Sequence, residues 1–161
     1  SPSSVSAARS SQIEVEKAAQ ERVVQGLDPD ARKRAEDVAS RFAQAMNART
    51  WQTSRQQWRE ALAPTVSPEL LKTLDVDRDW ESDAQHRFVQ AKASTSVQVL
   101  ESRAQTVQGE RVDVALMVAT ETTGEDPWVT APRTERPMTV VVDTTQNRVV
   151  AQIDMTPHGG L

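Results

Sequence analysis

The stretch GERVDVALMVATETT, residues 109–123, decides the fold class of this chain. Four large apolar side chains fall on every second position: Val112, Val114, Leu116 and Val118. The positions between them are occupied by Asp113, Ala115, Met117 and Ala119. Successive side chains of a β-strand point to opposite faces, so this period of two predicts a strand with one buried face.

Three further segments show the same strand pattern, at residues 94–102 (STSVQVLES), 136–144 (RPMTVVVDT) and 147–155 (NRVVAQIDM). The last two are joined by the short turn TTQN, which is typical of an antiparallel hairpin. Together the four segments predict a four-stranded antiparallel sheet. The long link between the second and third strands carries Pro127, Pro132 and Pro137, together with Trp128.

The chain before these strands has the pattern of helices. Asp28 and Pro29 form a start signal, and the apolar residues that follow keep a helical spacing: Ala35, Val38, Ala39, Phe42, Ala45 and Met46. A second helix is predicted within residues 50–64, with Trp51, Trp58, Ala61 and Leu62 on one side. A third begins at Ser67 as the cap and Pro68 as the first helical residue, with Leu70, Leu71 and Leu74 packing inward.

Residues 1–27 are predicted to be a polar helix or linker that projects from the domain, because their apolar stripe is thin. Residues 28–156 are predicted to form the α+β domain and residues 157–161 a flexible tail. The core is expected to contain Phe42, Met46, Leu71, Val114, Leu116, Val140 and Ile153.

Composition limits the classes of function. A chain of 161 residues fits one domain that can bury a core without a metal or a disulfide. Its net charge of −4 opposes broad binding to nucleic acid. There are no cysteines, which excludes a disulfide framework, zinc fingers and thiol catalysis.

An acid occupies every second position of DVDRDWESD, residues 75–83, which raises the question of a calcium loop. Such a loop needs a glycine at its sixth position and a bidentate glutamate at its twelfth, but Trp80 and His86 stand there. We therefore predict an extended connector whose acids face water while Val76 and Trp80 point at the core. No metal site is predicted.

No catalytic or cofactor site can be predicted from the remaining residues. The histidines are His86 and His158, and neither belongs to a metal-binding spacing. His86 could serve as a general base in a pocket, although a surface position is the simpler interpretation. The basic cluster at Arg32, Lys33 and Arg34 is surrounded by acids, so it indicates a solvated helix face.

Trp128 is the one candidate partner-binding residue. An aromatic side chain in a proline-containing link between strands is either a lid over the sheet or an anchor for another protein. The sequence leaves these two alternatives open.

Helices followed by a curved antiparallel sheet are the element order of the nuclear transport factor 2-like cone fold. Two stretches carry the local resemblance, residues 35–70 (AEDVASRFAQAMNARTWQTSRQQWREALAPTVSPEL) and residues 141–155 (VVDTTQNRVVAQIDM). The chain resembles the extracytoplasmic domains of actinobacterial-type Mce-associated proteins and TcpC-like conjugation scaffold proteins. That resemblance provides no motif from which a functional residue can be transferred.

The resemblance implies a non-enzymatic scaffold: the extracytoplasmic domain of a single-pass membrane protein that binds other proteins in a cell-envelope, secretion or conjugation complex. Association with the membrane is then expected only through an N-terminal anchor preceding this sequence, and a homo-oligomer is possible. The alternative is a small-molecule-binding or catalytic cone, as in isomerase and dehydratase relatives of the fold. Fold alone does not separate the two functions.

Overall fold

The antiparallel sheet is a meander in which neighbouring strands follow one another in the chain. The computed structural model describes residues 27–153. Their elements are α1 (Pro29–Asn47), β1 (Arg49–Thr50), α2 (Arg55–Leu62), α3 (Pro68–Asp77), α4 (Asp83–Gln90), β2 (Ser94–Gln108), β3 (Arg111–Thr123), β4 (Ala131–Asp143) and β5 (Arg148–Ile153). The predicted α+β class, with helices on a curved antiparallel sheet, is confirmed.

Irregularities in the strand pairing account for the curvature of the sheet. The register between β2 and β3 shifts at Val99/Glu101 and again at Ala104/Thr106. The register between β3 and β4 shifts at Thr120/Thr122. An extra residue in one strand bends that strand and increases its local twist. The sheet therefore curls around the helix that covers its inner face.

That helix is α1. The Asp28 side chain accepts a hydrogen bond from the Ala31 backbone N–H, and Pro29 occupies the first turn. Its buried residues are Ala35, Val38, Ala39, Phe42 and Ala43. They belong to one core cluster with the inner-face residues of β3, β4 and β5, among them Val112, Val114, Leu116, Val140, Val142 and Val149. The alternation predicted for residues 109–123 thus holds in the structure.

Each of the three short helices begins at a serine cap. Helices α2 and α3 contribute Trp58, Leu62 and Leu74 to the main core, whereas Phe88 of α4 belongs to a separate small cluster. Ser54 and Gln57 form a reciprocal capping box at α2, while Ser67 caps α3 and Ser82 caps α4. Helix α3 begins at Pro68 as predicted. Helix α4 was not predicted, because it is eight residues long and buries only Phe88.

The sheet differs from the prediction at three strands. The two-residue strand β1 pairs with the start of β2 and makes the sheet five-stranded. Strand β2 continues to Gln108, beyond the predicted end. Strand β4 begins at Ala131, so that Pro132 and Pro137 lie within a strand. The outer edge of this part of β4 pairs with no other strand among the residues described, which explains why proline is tolerated there.

Of the seven residues predicted to form the core, four are buried, two are partly buried and one is exposed. Phe42, Val114, Leu116 and Val140 are buried, and Met46 and Leu71 pack partly buried against the core. Ile153, by contrast, is 37% exposed. The register between β4 and β5 shifts at Val141/Val142, which inserts an extra residue after Val149. A shift of one residue moves every later side chain to the other face.

The predicted extended connector at residues 75–83 is wrong. Helix α3 continues through Asp77, which turns Val76 outward to 71% exposure and buries Asp75. Trp80 does pack against the core, as expected. The backbone after the helix reverses at Asp79, which has a positive φ of 47°.

The prediction for α2 also requires correction. The Ser54 cap starts this helix at Arg55, so Trp51 lies in the preceding turn and is 37% exposed. Ala61 faces solvent as well, whereas Trp58 and Leu62 are buried as predicted.

The structure does not describe residues 1–26 of the predicted polar helix or linker, residues 154–156 of the predicted domain, or the predicted tail at 157–161, which contains His158. Leu27 itself packs partly buried against the core. Between Leu27 and Ile153 there is no helix with the length and apolar character needed to cross a bilayer.

Candidate functional site

Trp128 stands on a tight turn between β3 and β4. The Asp126 carboxylate accepts a hydrogen bond from the Trp128 backbone N–H at 3.0 Å, and the Asp126 carbonyl accepts one from Val129 N–H at 3.0 Å. Pro127 occupies the next position of the turn, where its fixed φ is favourable. The indole is 92% exposed. It therefore does not act as a lid over the sheet.

The turn is fixed to the body of the protein on both sides of Trp128. Glu125 N–H donates to the Ala91 carbonyl at 2.7 Å. Val129 packs against the small apolar cluster of Phe88, Ala91 and Ala93. A Cβ at Gly124 would lie 3.2 Å from Ala93 Cβ, so glycine allows the two segments to approach closely. The exposed indole is thus held by a well-anchored backbone.

Trp51 is hydrogen-bonded to the same Ala91–Ala93 segment. Its backbone N–H donates to the Ala93 carbonyl at 2.8 Å, and the Lys92 ammonium lies 6.0 Å from the centre of its ring. Val89, one turn earlier in α4, is 38% exposed. Trp51 and the turn that carries Trp128 are each hydrogen-bonded to the Ala91–Ala93 segment. We call the exposed residues Trp51, Val89, Lys92 and Trp128 around this segment the two-tryptophan surface. Trp51 was predicted to lie on a helix together with Trp58, because the spacing of the two residues fits a helix.

The acidic stretch contributes a buried ion-pair cluster. The Asp75 carboxylate accepts from Arg55 at 2.6 Å, from Arg59 at 3.1 Å and from Trp80 Nε1 at 3.1 Å. Asp75 is 5% exposed, while the two arginine side chains are about half exposed. The hydrogen bond from Arg55 holds the pKa of the Asp75 carboxyl below its usual value, against the opposing effect of burial. This carboxylate links α2 to α3.

A cavity of about 490 Å³ opens at the mouth of the cone, between the ends of the helices and the sheet. Its basic residues are Arg49 of β1 and Arg78, which follows α3. The Arg78 guanidinium lies 4.0 Å from the centre of the Trp80 ring and 4.9 Å from that of Trp58. The two indoles meet edge to face at 5.6 Å. The aromatic rings therefore fix the position of this cation.

Burial lowers the pKa of both arginines that line the cavity. Burial, reinforced by the nearby charge of Arg49, lowers the pKa of Arg78 to about 10. Burial also lowers the pKa of Arg49. Arg49 lies 3.9 Å from the centre of the Phe88 ring and donates to Gln85 Oε1 at 3.0 Å. Both guanidinium groups remain positively charged at neutral pH.

The remaining candidates from the sequence do not converge on this cavity. His86 is exposed on α4 and does not line it. Lys33 and Arg34 face solvent on α1, and Arg32 lies 3.6 Å from Glu36, as expected for a solvated helix face. The cavity's carboxylate is Asp77. Over residues 27–153, no group of three or more His, Asp or Glu side chains is arranged to hold a metal.

Neither Arg49 nor Arg78 was predicted from the sequence as a site residue. Arg49 belongs to a strand of two residues, and Arg78 lies inside the stretch interpreted as an acidic connector. The one available signal is the pattern Arg78-Asp79-Trp80, in which a cation is near an aromatic residue in the sequence. That signal is weak, because the second ring comes from Trp58 on a different helix.

A helix-covered, strongly curved antiparallel meander with a cavity at its open end defines the nuclear transport factor 2-like cone fold. Neither a scan of family models nor a search of curated proteins found a match. Solved structures do match this chain, although their sequences are distant.

Two of these structures belong to transfer or secretion proteins. TraH, named as a transfer protein of the Gram-positive conjugative plasmid pIP501, is 7% identical with a TM-score of 0.50, covering 78% of this chain and 95% of TraH. CagV of Helicobacter pylori, a VirB8 homologue of the type IV secretion system, is 10% identical with a TM-score of 0.53, covering 76% of this chain and 99% of CagV.

A third match is the intermembrane-space region of the chloroplast protein ARC6. It is 14% identical with a TM-score of 0.51, covering 79% of this chain and 95% of that region. The resemblance to conjugation proteins predicted from the sequence is therefore confirmed at the level of fold. At such low identity the likenesses establish the shared fold and no residue roles.

Proposed function

We propose that this chain is a non-enzymatic scaffold domain that binds other proteins of a secretion or conjugation complex through the two-tryptophan surface. The observation that carries the proposal is Trp128, whose indole is 92% exposed on a hydrogen-bonded turn. Tryptophan is one of the residue types enriched among the side chains that dominate binding energy in protein interfaces. A large aromatic group held outward at a fixed point suits that role.

The rigidity of the turn strengthens the proposal. Binding costs free energy when side chains and loops must be ordered, and a preorganised backbone avoids much of this cost. The turn is held by Asp126 and by the bond from Glu125 to Ala91, so the backbone is already fixed before a partner arrives. Lys92 adds one charge at the edge of the surface, where it would affect association rate more than affinity.

The likenesses to TraH and CagV support the kind of complex proposed. We extend the proposal to an extracytoplasmic location and to attachment through a membrane segment preceding this sequence. The gene sequence upstream of Ser1 tests that extension, since an anchor requires about 20 consecutive apolar residues. An upstream sequence without such a run would contradict the single-pass arrangement.

The catalytic alternative is less well supported than the scaffold. General acid–base catalysis needs a titratable group held by a second group near the reacting atom. Among the described residues, Asp77 is the carboxylate that lines the cavity, and neither a hydrogen bond nor an ion pair orients it. Turnover that disappears in Asp77→Asn would replace the scaffold proposal with an enzymatic one.

The experiment that tests the scaffold is a Trp128→Ala substitution in the full-length protein in its host. We expect the melting temperature to change by less than about 2 °C, because an exposed substitution alters stability by no more than about 0.5 kcal/mol. Recovery of the secretion or conjugation components that co-purify with the wild type should fall at least about tenfold, as for an interface residue contributing more than 1.4 kcal/mol.

Val76→Ala is the matched control, because Val76 is an apolar side chain, 71% exposed, on a different element. It should leave both the melting temperature and the co-purification unchanged. A Trp128→Ala protein that unfolds, or one that retains every partner, would show that the indole is not the anchor.

A further inference from the structure

Two residues that line the cone-mouth cavity each have a buried side-chain nitrogen without a hydrogen-bond partner. Within the part of the chain that the structure describes, the buried side-chain nitrogens lacking any acceptor are Trp58 Nε1 and Arg78 Nε. Both side chains line the cavity. Buried donors in native proteins are nearly always satisfied, so each exception requires an explanation. A bound molecule that supplies acceptor oxygens would explain both.

The charge of the cavity also indicates a bound molecule with acceptor oxygens. Arg49 and Arg78 form no ion pair with any residue between 27 and 153, in contrast to Arg55 and Arg59, which share Asp75. The cavity thus contains two cations against the single carboxylate of Asp77. Asp75 attracts the Arg78 charge from a distance, but its carboxylate is already paired with Arg55 and Arg59. Partly buried cations without a direct ion pair create a positive potential that a ligand anion would neutralise.

The size and apolar lining of the cavity restrict the ligand further. A volume of about 490 Å³ lies within the range of about 300–1,000 Å³ typical of small-molecule sites. Met46 and Leu74 provide apolar surface beside the arginines. A ligand that fills the site therefore needs an acidic group and an apolar body.

We propose that the cone-mouth cavity binds a small organic monoacid, with its carboxylate at Arg78 and Arg49 and its apolar part against Met46 and Leu74. The planar guanidinium fork matches the two oxygens of a carboxylate. Because the Arg78 guanidinium contacts both the Trp58 and the Trp80 rings, little side-chain entropy is lost when the ligand binds. The excess of one positive charge suits a monoanion better than a dianionic phosphate.

This site goes beyond the scaffold proposal and rests on different residues. The two-tryptophan surface comprises Trp51, Val89, Lys92 and Trp128, none of which lines the cavity. Loss of partner binding in Trp128→Ala and loss of ligand binding in a cavity variant are therefore separable results.

The test is a nuclear magnetic resonance titration of the 161-residue chain with phenylacetate as the probe. Each tryptophan has its own indole N–H resonance, and the Trp58 signal reports on a ligand in the cavity because this residue lines it. Trp80 Nε1 already donates to Asp75, and Trp51 and Trp128 are surface-exposed, which makes these three signals internal controls. We expect a saturable shift of the Trp58 signal that is far larger than the others.

Two further probes identify the chemistry that is recognised. Phenylacetamide has the same ring and no charge, and inorganic phosphate has charge and no apolar part. We expect each to bind at least about tenfold more weakly than phenylacetate, which is the usual loss for one charge-assisted hydrogen bond. Equal binding of the amide, or tighter binding of phosphate, would overturn the inference.

Three substitutions locate the site. Arg78→Gln should weaken phenylacetate at least about tenfold. Asp77→Asn removes the repelling carboxylate from an exposed position and should strengthen binding. Arg34→Gln, an exposed arginine on α1, is the control and should bind as the wild type does.

Arg49→Gln provides an independent test if Arg78→Gln fails to fold, because Arg49 contacts the Phe88 ring and not the Trp58–Trp80 pair. It should also weaken phenylacetate. Absence of a Trp58 shift in the wild type, or unchanged affinity in a folded arginine variant, would show that the inference is wrong.

Discussion

The Asp75 side chain shows how a single residue can reverse the interpretation of a segment. An acid at every second position indicates an exposed, extended connector, yet this carboxylate is 5% exposed and joins two helices. The hydrogen bonds that permit its burial come from Arg55 and Arg59, which precede it by 20 and 16 residues. Burying a carboxylate is costly unless it is paired, so its position depends on contacts between helices that a local pattern does not contain.

Asp75→Asn tests the contribution of this cluster to stability. The folded-state pKa of Asp75 is lowered by Arg55, so the ionised form contributes stability above the unfolded-state pKa of about 3.9. That contribution disappears as the pH falls through the lower, folded-state pKa. At pH 7 we expect a loss of about 1–3 kcal/mol, limited because the half-exposed arginines can be rehydrated.

Urea denaturation of the wild type and the variant between pH 2 and 7 provides the measurement. The difference in unfolding free energy should narrow below about pH 4. Asp37→Asn, an exposed acid on α1, should show little difference at any pH. A difference at Asp75 that does not vary with pH would mean that the ionised carboxylate is not the stabilising form.

Leu116 and Ile153 test the assignment of the sheet faces at the level of single residues. Leu116→Ala should cost about 2–5 kcal/mol, because the side chain is 3% exposed within the main core. Ile153→Ala should cost less than about 1 kcal/mol, because the register shift turns this residue outward. Chemical denaturation measures both values, and the reverse ranking would contradict the observed register.

At the scale of elements, the hydrophobic pattern predicted the strands and the longest helix well. In helix α1 and strand β3 the apolar residues recur with a regular helical or strand period. Local sequence therefore determines which face of each element is buried. The strand bulges were not predictable, because the extra residue is identified only by its partner strand. The cavity was not predictable either, since its lining comes from α1, α2, α3 and four strands, with Arg78 after α3.

The hairpin between β2 and β3 depends on the backbone of Gly109. This residue has a φ of +62°, and a Cβ added there would meet no atom within 4 Å. Gly109→Ala should therefore lose about 1–2 kcal/mol through backbone strain alone. Denaturation curves compared with those of Glu110→Ala, the neighbour in the same turn, provide the measurement. Equal stability of the two variants would contradict the strain.

At the scale of the whole molecule, the boundary of the folded domain remains a prediction. Residues 28–156 are expected to fold without the preceding segment, so a chain beginning at Asp28 should unfold cooperatively near the temperature of the full chain. Leu27 packs against the core, so a second chain beginning at Leu27 is the matched comparison. Thermal unfolding followed by circular dichroism tests both, and loss of the cooperative transition in both would show that the earlier residues are integral.

The meander also determines when the parts of the protein can form during its synthesis. Each hairpin can close once its second strand has emerged, because neighbouring strands are adjacent in the chain. The packing of helix α1 on the sheet must wait longer, since the hydrogen bond from Ser102 to the Glu36 carbonyl spans 66 residues. At about 5–20 residues per second, that delay lasts about 3–13 s. During this interval the apolar stripe of α1 has no sheet to pack against, and we expect it to be the segment of the nascent chain that a chaperone binds.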